Sequence, residues 1–456
     1  MANATVADVG PKNYDQSPQN YTSLGNLVTA TKDDVRDLYV ATFGDQGITG
    51  LLDITGAKRN AGTADETVWF EEGRLNRLVS ITLGATNPVG TVTAIDGVSA
   101  SVASKGLRPY DVLLGDNDMR VLVTAVNASS ATFTYLDMST KDKLSATLGT
   151  ATTFAVIGNA YPQGSDQPSS PFEVNIQTRR NPFIIVKETF HVNGSQASNI
   201  GWVNVNGRNM WYLKGEMDAR RKFLKMREAM LVFGQLNTGT YSAGATYGAS
   251  VTGSEGYFAA VENRGITTDT AFANDMTFGA TNGLDSIILQ MDYEGSPAEN
   301  AMYLNRQLSL NIDSMLGAAG LGGGGIGAAA GYGAFNNSKD MAINLGFKSF
   351  TRGGYTFHKH DWKMLNDPTV AGNGLTKYRG AIIPLGSVVD PKTGASAPSL
   401  EMNYKGAGNY SRELEHWVEG GGVLGYATGS EDKAKFHYRS ECNLCVRAAN
   451  QHVAFV

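Results

Sequence analysis

The 456-residue sequence predicts a mixed α+β protein of more than one structural unit, dense in short strands and organised around one long helix. Three observations predict it. Between residues 66 and 192, short runs of alternating apolar and polar residues are punctuated by Gly, Asn, Asp and Ser, as strands joined by tight turns are. From Arg208 to Phe233 the period becomes helical: Pro is absent, Gly215 is the only glycine, and Met210, Met217, Leu224 and Leu231 recur every seven residues. The length also exceeds what one compact core of ordinary size accommodates, so two or more units are expected.

Residues 1 to about 30 carry Pro11, Pro18 and many Asn, Gln, Thr and Ser, and read as an extended arm. Thr31-Lys-Asp-Asp34 has capping-box spacing with Asp in place of Glu, Val35, Leu38 and Tyr39 give a short helix its apolar face, and Gly44, Gly47 and Gly50 close it. From Glu66 to Leu83 one parity carries Trp69, Leu75, Val79, Ile81 and Leu83, a strand pattern. Residues 84 to 160 then read as an inserted unit with strands at Thr91–Ile95, Val112–Leu114, Met119–Val126, Thr132–Leu136 and Phe154–Ile157, dense enough for a small barrel or sandwich. Tyr161–Pro171, with three prolines, is a linker. Strand character resumes at Phe172–Ile176 and Phe183–Val192, as if the chain returned along the path it left at Leu83.

The long helix comes next, about 40 Å at ~1.5 Å per residue, with Gly234 as its stop. Its charges are mixed with a basic surplus, which reads first as a solvated face. A Gly- and Thr-rich stretch, Gly239–Gly283, follows. Ser296-Pro297-Ala298-Glu299 predicts a second helix start, with Leu304, Leu308, Ile312, Met315 and Leu316 buried and Gly317 ending it before the low-complexity run Gly320–Gly333. Mixed elements fill the chain to about Thr428. The C-terminal stretch is a strand, with Phe436, Tyr438, Cys442, Leu444, Val446 and Ala448 on one parity.

Composition narrows the function. Hydrophobic residues make up 42% and charged residues 18%, below the ~25% usual for soluble domains. Gly is overused, with 54 residues. Such a lightly charged surface suits subunits that work against other subunits. The net charge of -5 argues against a chain that chiefly coats nucleic acid, though one inner face can still meet DNA. No run of ~18 apolar residues predicts a membrane span, and Met1–Asn20 lacks the pattern of a signal peptide. A non-secreted product made in the cytoplasm is expected.

Chemistry is hard to find. Cys442 and Cys445 form a lone C-x-x-C, but three positions apart on a strand they face opposite ways, roughly 10 Å apart. Gly320-Leu-Gly-Gly-Gly-Gly325 fits G-x-G-x-x-G, yet it follows a helix where a dinucleotide site needs a strand before it. His358-Lys-His360-Asp361 puts two histidines on one strand face and reads as structural. Glu71-Glu72 and Glu431-Asp432 sit in polar segments, without the apolar surroundings a general acid needs. Catalytic, cofactor-binding and metal-ligating residues are therefore all expected to be none.

Several stretches carry a resemblance. They are Val192–Trp202 leading into Met210–Lys214, Glu299–Arg306, Tyr332–Met341 with Asp361–Asn366, and Arg447–Val456. They resemble major capsid proteins of tailed bacteriophages with the Hong Kong 97-like fold, particularly those of crAss-like and related short-tailed phages. The resemblance spans residues 170–456; the first 170 match only in organisation. It implies an N-terminal arm (1–47), an extended loop (48–190) carrying the inserted β domain (84–160), a peripheral domain (191–279) with a spine helix (208–233), an axial domain (280–430), and a C-terminal strand (431–456) returning to the peripheral domain. It implies a structural protein and no enzyme: a virion component, assembled in the host bacterial cytoplasm into hexamers and pentamers of an icosahedral head. Implied partners are the chain itself, a portal, scaffolding or decoration proteins, and packaged double-stranded DNA held non-specifically; no membrane is involved. The alternative from another class is a phage fibre or head-decoration protein, which shares the low-charge, Gly-rich composition.

Overall fold

The computed structural model describes residues 58–73, 77–83, 89–95, 98–99, 107–115, 119–127, 132–138, 152–168, 176–195, 204–205, 208–209, 211–237, 253–268, 283–321, 349–371, 374–389, 394, 396–421 and 428–456. The expected arm, the helix start at Thr31, the Gly239–Gly283 stretch for the most part and the glycine run beyond Leu321 lie outside the described residues. The fold is mixed α+β with strands predominating. Packing divides the chain into two units, residues up to 65 with 182–386 and 400–456, and residues 66–181 with 387–399. Strands and helices are numbered along the described chain.

The first unit is built on two sheets. One has the order β1 (Lys58–Asn60), β21 (Leu400–Tyr404), β25 (Lys433–Val446), β11 (Ile184–Asn193), with β24 (Glu415–Gly420) also on β25. β11 and β25 run antiparallel over ten positions, from Ile184↔Cys442 to Asn193↔Lys433. The even positions Ala434, Phe436 and Tyr438 share one face because strand side chains alternate. That face receives helix α1 (Trp211–Phe233), whose fully buried Phe223 stacks on Tyr438 at 5.8 Å. Gly215 has a packing reason: a Cβ there would come within 2.6 Å of the Phe190 ring.

Two corrections concern this helix. It begins at Trp211, not Arg208, because Arg208–Asn209 (β13) pair with Asn204–Val205 (β12) in a short ladder. Its buried stripe is not the seven-residue one either. Met217 is 57% exposed and Leu224 only half-buried, and of that stripe's described members only Leu231 is buried; the buried row is Phe223, Arg227 and Leu231, spaced by four, with Glu228 and Val232 beside it. A heptad seam suits a partner helix; against a twisted sheet, the i, i+4 row makes the contact.

The second sheet has the order β14 (Ile266–Thr267), β26 (Val453–Phe455), β18 (Gly380–Pro384), β15 (Glu299–Leu304), β17 (Tyr355–Asp361), β16 (Ser349–Arg352). One face packs with α2 (Tyr257–Arg264), the end of α1 and the first sheet in a shared core that includes Tyr257, Phe258, Trp362, Met402 and Leu444. The other face is covered by α3 (Leu284–Tyr293) and α4 (Arg306–Leu321) through Leu284, Met291, Leu308 and Ile312.

Here the sequence reading of Ser296–Glu299 as a helix start fails. Glu299–Leu304 is a strand with five of its six residues buried, paired parallel to β17 and antiparallel to β18. Its unbroken apolar run, Ala301 to Leu304, is what a strand covered on both faces carries. The helix starts at Arg306, where the Leu308 N–H donates to Asn305 Oδ1 at 2.8 Å, an N-cap bond. Leu308 and Ile312 are buried as expected, and α4 continues past Gly317 to Leu321.

The C-terminal segment also departs from one strand returning to one place. β25 ends at Val446, the chain turns through Ala448 in the left-handed region (φ 48°), and β26 enters the second sheet between β14 and β18. Small hairpins complete the unit at β22–β23 (Gly406–Ala407, Tyr410–Ser411).

The second unit contains a barrel. β3 (Leu78–Leu83), β9 (Thr152–Asn159), β6 (Asp111–Gly115), β7 (Met119–Val126), β8 (Thr132–Asp137), β4 (Val89–Ile95) and β5 (Val98–Ser99) pair in that order, and β3 also pairs β4, closing a ring. Val79, Ile81, Leu113, Val121, Val123, Phe133 and Phe154 fill it. The unit also holds a two-stranded ribbon, β2 (Glu66–Glu72) with β10 (Ile176–Pro182), and the hairpin β19–β20 (Ser387–Val389, Ser396–Pro398). The run from Glu66 to Leu83 is thus two strands in different sheets, and the inserted unit's first strand starts before residue 84.

This gives a sharp expectation. Residues 77–160 expressed alone should be soluble and melt cooperatively, because every strand of the ring is present. Residues 84–160 lack β3 and should not, since β4 and β9 each lose a ladder and the core loses Val79 and Ile81. Circular dichroism melts of the two fragments decide; equal melting would mean β3 does not close the barrel.

Candidate functional site

The residues singled out for chemistry fall into structural settings. Cys442 and Cys445 are both buried in β25 and both free. Cys442 joins the apolar core, while Cys445 pairs across the ladder with Glu401, so the two face opposite ways. Burial pushes the Cys442 thiol up and the Cys445 thiol up to about 12. Neither offers a thiolate near neutral pH.

His358 and His360 share a face of β17. His360 stacks on Tyr303 at 5.1 Å, and burial, with His358 nearby, pushes its pKa down. Asp361 pairs with Arg306 at 2.8 Å. Among the described residues no group of three His, Cys, Asp or Glu is placed to hold a metal ion. Glu71 accepts from Trp69 Nε1 at 3.0 Å and from Arg179 Nε at 3.1 Å. The Lys435 ammonium holds the Glu431 carboxyl below the usual range, the opposite of what a general acid needs. Of the glycine motif, Gly320 and Leu321 lie in the last turn of α4 and the rest lies outside the described residues.

What the structure does bring together, and the sequence did not signal, is a set of buried or half-buried charges clamping strand to strand. Arg447 pairs with Glu401, Arg412 with Glu441 and Arg439 with Glu415, each at 2.5 Å. Arg439 also lies over the Trp417 ring at 4.9 Å, and Trp417 stacks on His437 at 5.0 Å. The β24–β25 register produces the Arg439 pair and the Trp417 stack, since Glu415↔Arg439 and Trp417↔His437 are cross-strand neighbours. Charge-assisted contacts of this kind fix register; they present no nucleophile or acid to a substrate.

A shallow depression of about 260 Å³ is lined by Gly265, Ile266, Thr267, Gln290, Tyr293 and Glu294. Leu289 (56%) and Tyr293 (68%), four apart on α3, are among the exposed large apolar side chains. No helix among the described residues is long and apolar enough to cross a membrane.

One buried titratable group makes a prediction. His452 is fully buried beside the Tyr257 hydroxyl, 3.3 Å from Nδ1, and burial pushes its pKa from 6.5 down to about 3. As pH falls below 6.5 the unfolded chain takes up this proton first. The contribution to stability is therefore whole above pH 6.5 and is lost progressively toward pH 3, at up to ~1.4 kcal/mol per pH unit. Urea midpoints between pH 7 and 4.5 should fall more steeply for the natural protein than for His452→Gln. Parallel slopes would show that another group governs the acid limb.

No family model matches the chain, and no curated protein matches it. Solved structures do. A capsid structure of the cyanophage P-SCSP1u is similar at 9% identity and a TM-score of 0.42, covering 93% of this chain and 91% of that one. A structure from Gordonia phage Cozz is similar at 10% identity and a TM-score of 0.42, covering 94% and 92%. The mature capsid of bacteriophage PhiM1 is similar at 9% identity and 0.33, covering 65% and 79%.

Proposed function

We propose that the chain is the major capsid protein of a tailed bacteriophage, a structural shell subunit of the Hong Kong 97-like fold with no catalytic role. One observation carries the reading. Three of the stretches that resemble such proteins fall on buried, described elements of the first unit: Asn300–Leu304 in β15, Trp362, Met364 and Leu365 in the core, and Val453–Phe455 in β26. Residues that fill a core are those a fold family must keep compatible, so likeness there speaks to architecture.

In this reading residues 1–47 are the arm and the β2–β10 ribbon lies in the extended loop (48–190), which carries the barrel. α1 on β25 belongs to the peripheral domain, which β11 and β24 join from the expected loop and axial ranges, and the second sheet with α3 and α4 forms the axial domain, which β14 and β26 join from outside 280–430. Hexamers and pentamers of the subunit make an icosahedral head in the host bacterial cytoplasm, with a portal and possible scaffolding or decoration proteins as further partners. Arg220, Arg221 and Lys222, exposed on α1, supply a basic stretch for non-specific contact with packaged double-stranded DNA.

Electron microscopy of the purified protein tests the assignment. Capsomers or closed shells are expected; rods would favour the fibre reading, and small monodisperse particles would favour neither. Removing residues 1–30 should leave a folded subunit that assembles poorly, because that stretch has too little apolar content to pack on its own. Normal shell yield from the shortened chain would remove the arm from the mechanism.

A further inference from the structure

The segment from Lys58 to Asp65 is held differently from the strands beside it. β1 pairs parallel with β21, from Lys58↔Met402 to Asn60↔Tyr404, and its three residues are all exposed. β21 by contrast is almost wholly buried. Beyond that ladder the segment is attached by backbone bonds, Ala61 N–H to Tyr404 O and Gly406 N–H to Gly62 O, both 2.9 Å, and a longer one from Phe183 N–H to Asp65 O at 3.3 Å. An ion pair stands at each end: Lys58 with Glu413 at 3.4 Å, and Asp65 with Lys405 at 2.5 Å. The Asp65 side chain is 91% exposed. Attachments of these kinds are individually weak, and exposed ion pairs weaken further with salt. Lifting the segment away uncovers little apolar surface of its own, since Ala61 is its one part-covered apolar side chain.

We propose that Lys58–Asp65 is a releasable clip, and that the edge of β21 it closes on is a docking edge for the same segment of a second copy of this chain. The second half rests on the self-assembling subunit proposed above; salt-dependent release is a property of the single chain. The occupant is a second copy because the edge is fitted to this sequence. Glu413 and Lys405 place opposite charges against the two ends of the segment. Between them Gly406 leaves room for Asn60, whose Nδ2 a Cβ at that position would meet at 2.9 Å. Exchange between copies swaps like contacts for like, so it needs only the high local concentration an assembly supplies.

Charge reversal tests both halves. Lys58→Glu and Glu413→Lys are made in separate chains and together in one chain; both positions are exposed enough to tolerate the change. Hydrogen exchange of the Ala61 and Gly406 amides is the readout. Each single variant, and the natural subunit at ~1 M salt, should exchange roughly fivefold faster than the natural subunit at low salt. Particles assembled from a mixture of the two single variants should regain protection, because the reversed segment of one meets the reversed edge of the other. Single variants indistinguishable from the natural chain would overturn the clip. Protection restored in the double variant but not in the mixture would show that the clip closes only on its own chain. Absence of particles from the natural protein would count against the shell reading and leave salt-dependent release standing.

Discussion

Phe223→Asp is expected to abolish the soluble, folded first unit. Phe223 is fully buried between α1 and the face of β25 made by Ala434, Phe436 and Tyr438, and the cation one turn along, Arg227, already donates to the Glu413 carbonyl. A charge left unpaired in such a site costs about 4 kcal/mol or more once the lost ring contact is included, a large part of a typical domain's stability. Leu224→Asp should be milder, about 1–2 kcal/mol, because Leu224 is half-buried at the rim of the same cluster. Lys225→Ala loses only a 3.8 Å pair with Asp367 and should cost less than ~1 kcal/mol. Urea unfolding of the three variants gives the order directly. If Leu224→Asp proved the most damaging, the contact row on α1 would be the seven-residue one after all.

That ranking shows what the sequence could and could not say. The existence and end of α1 were legible, because 23 residues without Pro and a following Gly234 leave few alternatives. Its buried face was not, since Met217 and Phe223 are both large and apolar and only the sheet decides which is covered. Most barrel strands were legible within two residues, because alternation is strong and turns are dense there. β3 was read as a strand but not as part of the barrel, because Val79 and Ile81 share a parity with Trp69, which belongs to the ribbon instead.

The misread helix start has a physical lesson. Ser296-Pro297 with Glu299 satisfies local helix-opening chemistry, yet Asn300 to Leu304 must be buried on both sides between β17 and β18. Tertiary burial of five consecutive residues outweighs a cap worth about 1 kcal/mol. The cysteines illustrate the converse. Their strand placement followed from alternation alone, and the polar ladder around Cys445 did not, since Glu401 and Arg447 become neighbours only through the β21–β25 register.

The same register logic makes Ala454→Pro the second large expected effect. β26 lies inside its sheet, antiparallel to β18 (Ala381↔Ala454) and parallel to β14 (Thr267↔Ala454). Thr268 N–H donates to Ala454 O at 3.0 Å, so residue 454 works in the β14 ladder. Proline removes a ladder N–H and adds a ring where Ala454 is fully buried against the shared core. The flanking Val453 and Phe455 belong to the core on the other face, so displacement of the strand disturbs both cores at once. A loss of at least ~3 kcal/mol is expected, seen as a large fall in thermal midpoint or as insoluble protein. Val456→Pro is the matched control. It forfeits one bond, from the Val456 N–H to Thr268 Oγ1 at 3.1 Å, and should cost about 1 kcal/mol. Similar melting of the two variants would mean that β26 is not an interior strand of the folded subunit, and the second sheet would have to be redrawn without it.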